Sequence, residues 1–189
     1  MPKIDNVFTQ EELDLINNAL PTYKIELDEA LGRIRIGDIK FCFSDYMMSR
    51  LEEIAKQATG LSLSIDHAMY VEYNEKYGRP NLPPHFDGDK CDLIINFQLS
   101  ANTSWNVGLN TDIYELEDNS ALIFNGNTEV HWRPHKNFKN GEYVKMIFVR
   151  FFNRENTSDY SYLSKINTPT NDIFKEAYNL RESLNNTLS

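Results

Sequence analysis

Apolar residues recur at every second position through much of the chain after Leu61, and this alternation restricts the fold more than any other feature of the sequence. It predicts strands at 69–73, 92–99, 112–116, 121–124 and 143–152. Turns rich in Asn, Asp and Gly separate the strands, as at 117–119 and 125–127. Several short strands with such punctuation are typical of an all-β sandwich or barrel.

Two helices are predicted ahead of the strands. Thr9, followed three residues later by a glutamate, is a capping-box signature that begins a predicted helix over 9–20. Ser44 or Asp45 can cap a second helix, which should end at Gly60 because glycine readily adopts the left-handed backbone conformation. The apolar stripe of this second helix should cover one face of a sheet.

A third, amphipathic helix is predicted over 172–184, where it can pack on the core or on a second subunit. The sequence therefore favours a mainly β fold with flanking helices, a double-stranded β-helix (jelly roll) with N-terminal helices packed on its sheet. We expect 1–189 to form a single domain. Its parts would be a helical N-terminal support over 1–60, a β-helix core over 61–153, and a C-terminal tail and helix over 154–189.

The composition narrows the classes of function and partner. A net charge of −9 and a pI near 4.9 disfavour binding to nucleic acid, because a phosphate backbone would be repelled. We find no signal peptide and no apolar run of the roughly 20 residues that span a membrane, so a cytoplasmic protein without membrane contact is expected. Cys42 and Cys91 are predicted to be buried free thiols. The oligomeric state stays open.

A candidate metal site follows from three side chains. His85 and Asp87 are two positions apart, so on an extended backbone both point to the same side. His131 stands just before another strong strand, and a jelly roll brings such distant strand ends together. Two histidines and one carboxylate leave open positions on an octahedral ion, which favours non-haem Fe(II) over zinc. His135 is an alternative third ligand, whereas His67 has no partner at ligand spacing.

With these residues, the stretch 70–152 resembles the 2-oxoglutarate and Fe(II)-dependent oxygenases of the prolyl-4-hydroxylase type. In that family a tyrosine-containing strand, here with Tyr73, leads through a loop into a His-x-Asp motif, here His-Phe-Asp at 85–87. A late histidine follows, matched by His-Trp-Arg-Pro at 131–134. The segment 8–12 is also similar to the opening of these proteins, although it is less specific.

The resemblance implies an Fe(II)- and 2-oxoglutarate-dependent dioxygenase whose metal ligands are His85, Asp87 and His131. It implies that O₂ and 2-oxoglutarate are consumed, succinate and CO₂ released and a C–H bond hydroxylated, with ascorbate as a further candidate cofactor. Asp87 favours hydroxylation, because halogenating relatives need that coordination position free for halide. The substrate would be an amino acid, a peptidyl proline or another small molecule or peptide.

The residue that anchors 2-oxoglutarate departs from the family pattern. Family members usually carry Arg or Lys two residues after a glycine on the last strand, and Tyr143 stands there in this chain. Lys145 is the first choice as anchor, with a second hydrogen bond from Tyr73 or Tyr143. Arg133 is the reserve candidate. Alternation places Arg150 on the opposite face of the strand from Lys145.

Two alternatives stay open for the function. One is a non-catalytic β-helix module that binds a ligand, and the other is a cupin-type metalloenzyme that does not use 2-oxoglutarate.

Asn96 and Gln98 interrupt an apolar strand and either line the active-site cavity or face solvent. Trp105 and Trp132 are predicted to be core or pocket wall.

Overall fold

A computed structural model describes residues 3–87, 91–152 and 171–187 of the chain. The strands are β1 (Lys3–Asp5), β2 (Glu26–Asp28), β3 (Arg33–Ile36), β4 (Ser64–Asn74), β5 (Leu93–Ala101), β6 (Val107–Leu109), β7 (Asp112–Tyr114), β8 (Ser120–Phe124), β9 (His131–Trp132) and β10 (Tyr143–Phe152). The helices are α1 (Gln10–Ala19), α2 (Asp45–Thr59) and α3 (Asn171–Thr187).

The described strands form two antiparallel sheets. A seven-stranded sheet has the order β1-β8-β5-β10-β4-β3-β2, and a three-stranded sheet has the order β7-β6-β9. The longest pairings join β10 to β4 on one side and to β5 on the other. The prediction of a mainly β, antiparallel fold with a few helices is confirmed.

The first 60 residues contain three short strands in addition to the predicted helices. They contribute β1, β2 and β3 to the seven-stranded sheet, in addition to α1 and α2. Each of these strands is only three or four residues long, which is too short for a period-two pattern to stand out. They extend the sheet at both of its edges.

Both N-terminal helices begin and end where their capping residues predict. Thr9 caps α1, and its hydroxyl accepts from the backbone N–H of Glu12 while Glu12 accepts from the backbone N–H of Thr9. Ser44 caps α2 by accepting from the backbone N–H of Met47. Gly60 ends α2 with φ of 74°.

An ion pair fastens α1 to α2. Two nitrogens of Arg50 donate to the two carboxylate oxygens of Glu12 at 2.7 and 2.8 Å, a bidentate geometry. Burial alone would raise the pKa of Glu12, but the hydrogen bonds from Arg50 and Thr9 outweigh it and lower that pKa. The pair thus holds the two helices together where they cover the sheet.

Two apolar layers lie on opposite faces of the seven-stranded sheet. The helix-side layer joins side chains of α1 and α2 to the sheet, including Ile16, Met47, Leu51, Ile95, Ile147 and Phe151. The second layer lies between the two sheets and includes Val71, Tyr73, Val107, Leu109, Leu122 and Met146. Cys42 and Cys91 are buried and free, as predicted.

Helix α3 packs on the protein core beside β9. The ring of Phe174 meets the edge of the Phe86 ring at a centroid distance of 4.9 Å, and Ala177 is buried in the same small cluster. Arg181 donates through Nε to the backbone carbonyl of Arg133 at 2.9 Å. The sequence left open whether this helix packs on the core or on a second subunit, and in the structure it packs on the core. The tail ahead of it, 154–170, lies outside the described residues.

Among the helices that the structure describes, none is long and apolar enough to cross a membrane.

Candidate metal centre

Main-chain hydrogen bonds bring the predicted metal ligands together. His85 and His131 pair as a short antiparallel bridge, each donating its N–H to the other's carbonyl at 3.1 Å. The N–H of Asp87 donates to the carbonyl of Gly126 at 2.9 Å. A side chain at Gly126 would crowd Cys91, because a Cβ there would lie 2.9 Å from that residue's Cβ. The turn after β8 therefore packs tightly on Cys91 and hydrogen-bonds to Asp87.

The three side chains present ligand atoms to one point. Those atoms all lie within 4.8 Å of one another. Nε2 of His131 lies 3.2 Å from one carboxylate oxygen of Asp87, and Nε2 of His85 lies 3.9 Å from the other. The rings of the two histidines are 4.2 Å apart at their centroids.

Backbone carbonyls fix the orientation of both imidazoles. Nδ1 of His85 lies 2.7 Å from the carbonyl of Pro83, and Nδ1 of His131 lies 3.2 Å from the carbonyl of Glu129. A proton on Nδ1 satisfies each carbonyl and leaves the lone pair on Nε2, where Asp87 converges. Such outer hydrogen bonds are the usual support of histidine metal ligands.

The electrostatics of the cluster favour a neutral His85 and an ionised Asp87. Burial, together with the neighbouring His131, lowers the pKa of His85, so its ring is neutral near pH 7. Burial alone would raise the pKa of Asp87, but the neighbouring His131 outweighs it and lowers that pKa, so the carboxylate is ionised near pH 7. Neutral imidazole and ionised carboxylate are the forms that bind metal.

The other histidines lie apart from this cluster. His135 hydrogen-bonds through Nδ1 to the carbonyl of Pro80 at 3.2 Å, and its Nε2 lies 3.4 Å from Arg181. The side chain of His67 is 3.8 Å from Asp38. Among the described residues, neither belongs to a group of ligand atoms that could share an ion.

A cavity of about 380 Å³ opens beside the metal ligands, between the two sheets. At one end, Arg133 is 3% exposed and stacks on the ring of Trp105, with its guanidinium carbon 4.5 Å from the ring centroid. Its NH1 donates to the carbonyl of Trp105 at 2.6 Å and its NH2 to the sulfur of Met146 at 3.0 Å. Burial lowers the pKa of Arg133 to about 10, which still leaves it charged at neutral pH.

Arg133 lacks a counter-ion within the described parts of the chain, where no carboxylate lies within 4 Å of its guanidinium. A buried charge is normally paired, because its desolvation is otherwise uncompensated. Thus this end of the cavity carries a positive charge that an anionic ligand could neutralise.

Tyr73 lies at the same end of the cavity and is fully buried. Its ring meets the ring of Trp105 edge-on at 4.8 Å. Its hydroxyl accepts from NH1 of Arg33 at 3.1 Å, and Arg33 is held by Asp28 at 3.2 Å. The phenolic proton of Tyr73 is therefore free to be donated to a ligand.

Lys145, the first sequence-based choice of anchor, lies away from this cavity. It stands opposite Glu72 of β4, and residues directly opposite on antiparallel strands share a face. Met146 and Arg150 lie on the other face of β10, toward the cavity, whereas Tyr143 shares the face of Lys145. Sequence alternation separated the two faces as the structure has them, but Lys145 lies on the face that points away from the cavity. Both faces of β10 are largely buried, so the pattern could not tell them apart.

Two further cavity residues bear on the sequence-based expectations. Asn96 lines the cavity, whereas the amide of the buried Gln98 donates to the carbonyl of Leu116 at 3.0 Å instead. Arg33 is a cavity residue that the sequence reasoning missed. Its strand, β3, carries no pattern that would have pointed to it.

No family model and no curated protein matches this chain.

Solved structures with a similar fold include 2-oxoglutarate and Fe(II) oxygenases. HygX from Streptomyces hygroscopicus, with nickel and 2-oxoglutarate bound, has a TM-score of 0.61 at 10% identity, covering 80% of this chain and 82% of HygX. The viral collagen prolyl hydroxylase vCPH from Paramecium Bursaria Chlorella virus-1, in its 2-oxoglutarate complex, has a TM-score of 0.56 at 13% identity, covering 79% and 93%.

A third neighbour is SnoN, a non-heme alpha ketoglutarate-dependent epimerase from nogalamycin biosynthesis. Its TM-score is 0.63 at 12% identity, covering 80% of this chain and 76% of SnoN. Likeness at these identities establishes the fold. The resemblance that the motifs indicated is confirmed at that level.

Proposed function

We propose that this protein is an Fe(II)- and 2-oxoglutarate-dependent dioxygenase whose metal is bound by His85, Asp87 and His131. The observation that carries the proposal is the convergence of two features in one cavity. A cluster of two imidazoles and one carboxylate lies beside a buried arginine that has no counter-ion among the described residues. We interpret the two facing sheets as a double-stranded β-helix within a single domain.

The donor set suits Fe(II). Two neutral nitrogens and one carboxylate occupy one side of an octahedral ion and leave positions for a chelating cosubstrate and O₂. The Nδ1 contacts to backbone carbonyls hold both Nε2 atoms toward Asp87. When bound, the iron and 2-oxoglutarate supply the oxidising chemistry, in which 2-oxoglutarate and O₂ yield succinate, CO₂ and an oxidised substrate.

Arg133 is the proposed anchor for the distal carboxylate of 2-oxoglutarate. A planar guanidinium offers paired donors that match a carboxylate, and the carbonyl of Trp105 and the sulfur of Met146 occupy only part of its donor capacity. Tyr73 can donate a second hydrogen bond from the same end of the cavity. In this arrangement β9 supplies both a metal ligand and, directly after its end, the cosubstrate anchor.

Hydroxylation is the reaction that we propose, on an amino acid, a peptidyl proline or another small substrate. Asp87 supports it, because a carboxylate in that coordination position leaves no place for halide. The apolar wall of the cavity, with Phe124, Trp132 and Phe148, would exclude water from the reacting atoms. Ascorbate would serve only as an auxiliary reductant.

A succinate-release assay tests the proposal. Purified protein with Fe(II), 2-oxoglutarate and O₂ should form succinate, and His131→Ala should abolish it. His135→Ala is the matched control, four residues away and outside the cluster, and should retain most of the activity.

Each rival function has its own outcome in this assay. Metal and 2-oxoglutarate binding without succinate would indicate a ligand-binding module. Substrate oxidation without 2-oxoglutarate would indicate a cupin-type enzyme. Succinate release with an epimerised product would indicate a 2-oxoglutarate-dependent epimerase instead of a hydroxylase.

A further inference from the structure

The cavity has a second charged end, far from Arg133. Met146, Phe148 and Arg150 follow one another at alternate positions on the cavity face of β10. Met146 contacts Arg133, and the rise of an extended strand places the Cα of Arg150 about 13 Å further along. The charge of Arg150 also reaches Asp87, a proposed metal ligand. Arg150 therefore lies on the metal side of the cavity, away from the proposed 2-oxoglutarate anchor.

The partners of Arg150 leave it able to bind a ligand. Its NH2 lies 3.1 Å from the carboxylate of Asp66, and the two side chains are 40% and 39% exposed. The thiol of Cys91 is a second contact, and burial raises the pKa of that thiol to about 11, so it is neutral. Nε of Arg150 is buried and has no hydrogen-bond partner among the residues that the structure describes.

Asn96 adds an independent sign of a ligand. It is 3% exposed and lines the cavity, and within the described ranges its Oδ1 has no hydrogen-bond partner. It stands opposite Phe148, while Arg150 stands opposite Ile94, so the amide and the guanidinium are diagonal neighbours on the cavity face. Buried polar atoms are rarely left unsatisfied, and two of them on one wall indicate that something else completes them.

We infer that the substrate is a small molecule with a carboxylate that Arg150 binds. An adjacent N–H or O–H group of the same molecule would donate a hydrogen bond to Oδ1 of Asn96. A free α-amino acid or 2-hydroxy acid has this arrangement. The inference rests on the proposed function, because it assumes that 2-oxoglutarate occupies the end of the cavity beside Arg133. The volume of about 380 Å³ is near the lower end of the range for ligand pockets and must hold both molecules, so a small substrate fits best.

The role of Asp66 follows from the same geometry. Its carboxylate holds the guanidinium in place before the substrate arrives and competes with the substrate for it. Removing Arg150 should therefore weaken binding of the carboxylate, whereas removing Asp66 should leave that binding unchanged or strengthen it. A purely structural ion pair would give the same effect for both.

The test is a binding panel on the protein loaded with Mn(II) and 2-oxoglutarate. The probes are the twenty L-amino acids, common 2-hydroxy acids, the primary amides of all these acids, and short peptides that offer a C-terminal carboxylate. Stabilisation against thermal unfolding by 2-oxoglutarate alone is recorded first. Its absence in the wild type refutes the proposed function itself, independently of the substrate panel.

We expect at least one free acid to bind about 10- to 150-fold more tightly than its own amide, the range for one charge-assisted hydrogen bond. In Arg150→Gln this ratio should fall to near one, while Asp66→Asn should keep or raise it. Because each ratio is taken within one variant, general damage to the fold cancels. The inference is overturned if no acid is preferred to its amide, if only peptides bind, or if both variants lower the ratio equally.

Discussion

Replacing Arg133 by methionine separates the role of this side chain in cosubstrate binding from any role in stability. Loss of one charge-assisted hydrogen bond weakens binding by about 10- to 150-fold. A ligand present at 100 times its Kd stabilises the native state by about 2.7 kcal/mol, from RT ln(1 + [L]/Kd). At the same concentration of 2-oxoglutarate, the weakened variant would gain only about 0.3 to 1.4 kcal/mol.

The same substitution should cost little stability in the absence of ligand. Arg133 is 3% exposed and lacks a carboxylate partner in the described structure, so no opposite charge compensates its desolvation. Replacing even a buried ion pair by apolar side chains of similar volume is often neutral or stabilising by about 1 to 4 kcal/mol, and Arg133 lacks the attraction that such a pair has. The lost bond to the carbonyl of Trp105 offsets part of that gain, so we expect a free energy of unfolding close to the wild-type value or above it.

The assay is urea unfolding of the Mn(II)-loaded protein with and without 2-oxoglutarate. Lys145→Ala serves as the matched control, because it removes a positive charge from the opposite face of β10 and should leave the gain at about 2.7 kcal/mol. The reasoning is refuted if Arg133→Met keeps the full gain while Lys145→Ala loses it. Strong destabilisation of ligand-free Arg133→Met would show instead that the arginine is structural.

Three other perturbations test separate parts of the account. Asp87→Ala should abolish Mn(II) binding measured by calorimetry, because it removes the only anionic ligand of the cluster, and unchanged affinity would refute the assignment. Glu12→Gln should lower the free energy of unfolding by about 1.5 to 3 kcal/mol at pH 7. The pKa of Glu12 is depressed in the folded state, so its contribution is present above about pH 4.5 and is lost as the pH falls further; a deficit independent of pH would contradict this reading. Gly108→Ala should cost about 1 to 3 kcal/mol, because the indole of Trp132 packs directly on the glycine, and an unchanged melting temperature would contradict that contact.

Local signals in the sequence were sufficient for the helices and for the clustering of His85, Asp87 and His131. Capping residues act over three or four positions, so Thr9 and Ser44 could be read directly. The pairing of His85 with His131 is long-range, yet the spacing of His85 and Asp87 on an extended segment and the position of the late histidine were enough to predict it. A capping residue predicts the start of one helix, and the spacing of His85 and Asp87 predicts that both side chains point to the same side.

The rest depended on tertiary packing that leaves no trace in the sequence. Strands of two to four residues, such as β3 and β9, carry no measurable period. The two faces of β10 are both largely apolar because one packs on helices and the other on the second sheet, so the cavity face could not be chosen. The sequence therefore placed the anchor at Lys145, whereas the cavity contains Arg133, a buried arginine with no counter-ion among the described residues.

Anomalous diffraction from crystals grown with Mn(II) and 2-oxoglutarate tests the central claim most directly. The account predicts one strong manganese peak bound by Nε2 of His85, Nε2 of His131 and the carboxylate of Asp87. It also predicts density for 2-oxoglutarate that runs from the metal to the guanidinium of Arg133. A peak bound by other side chains, or 2-oxoglutarate bound away from Arg133, would contradict the account.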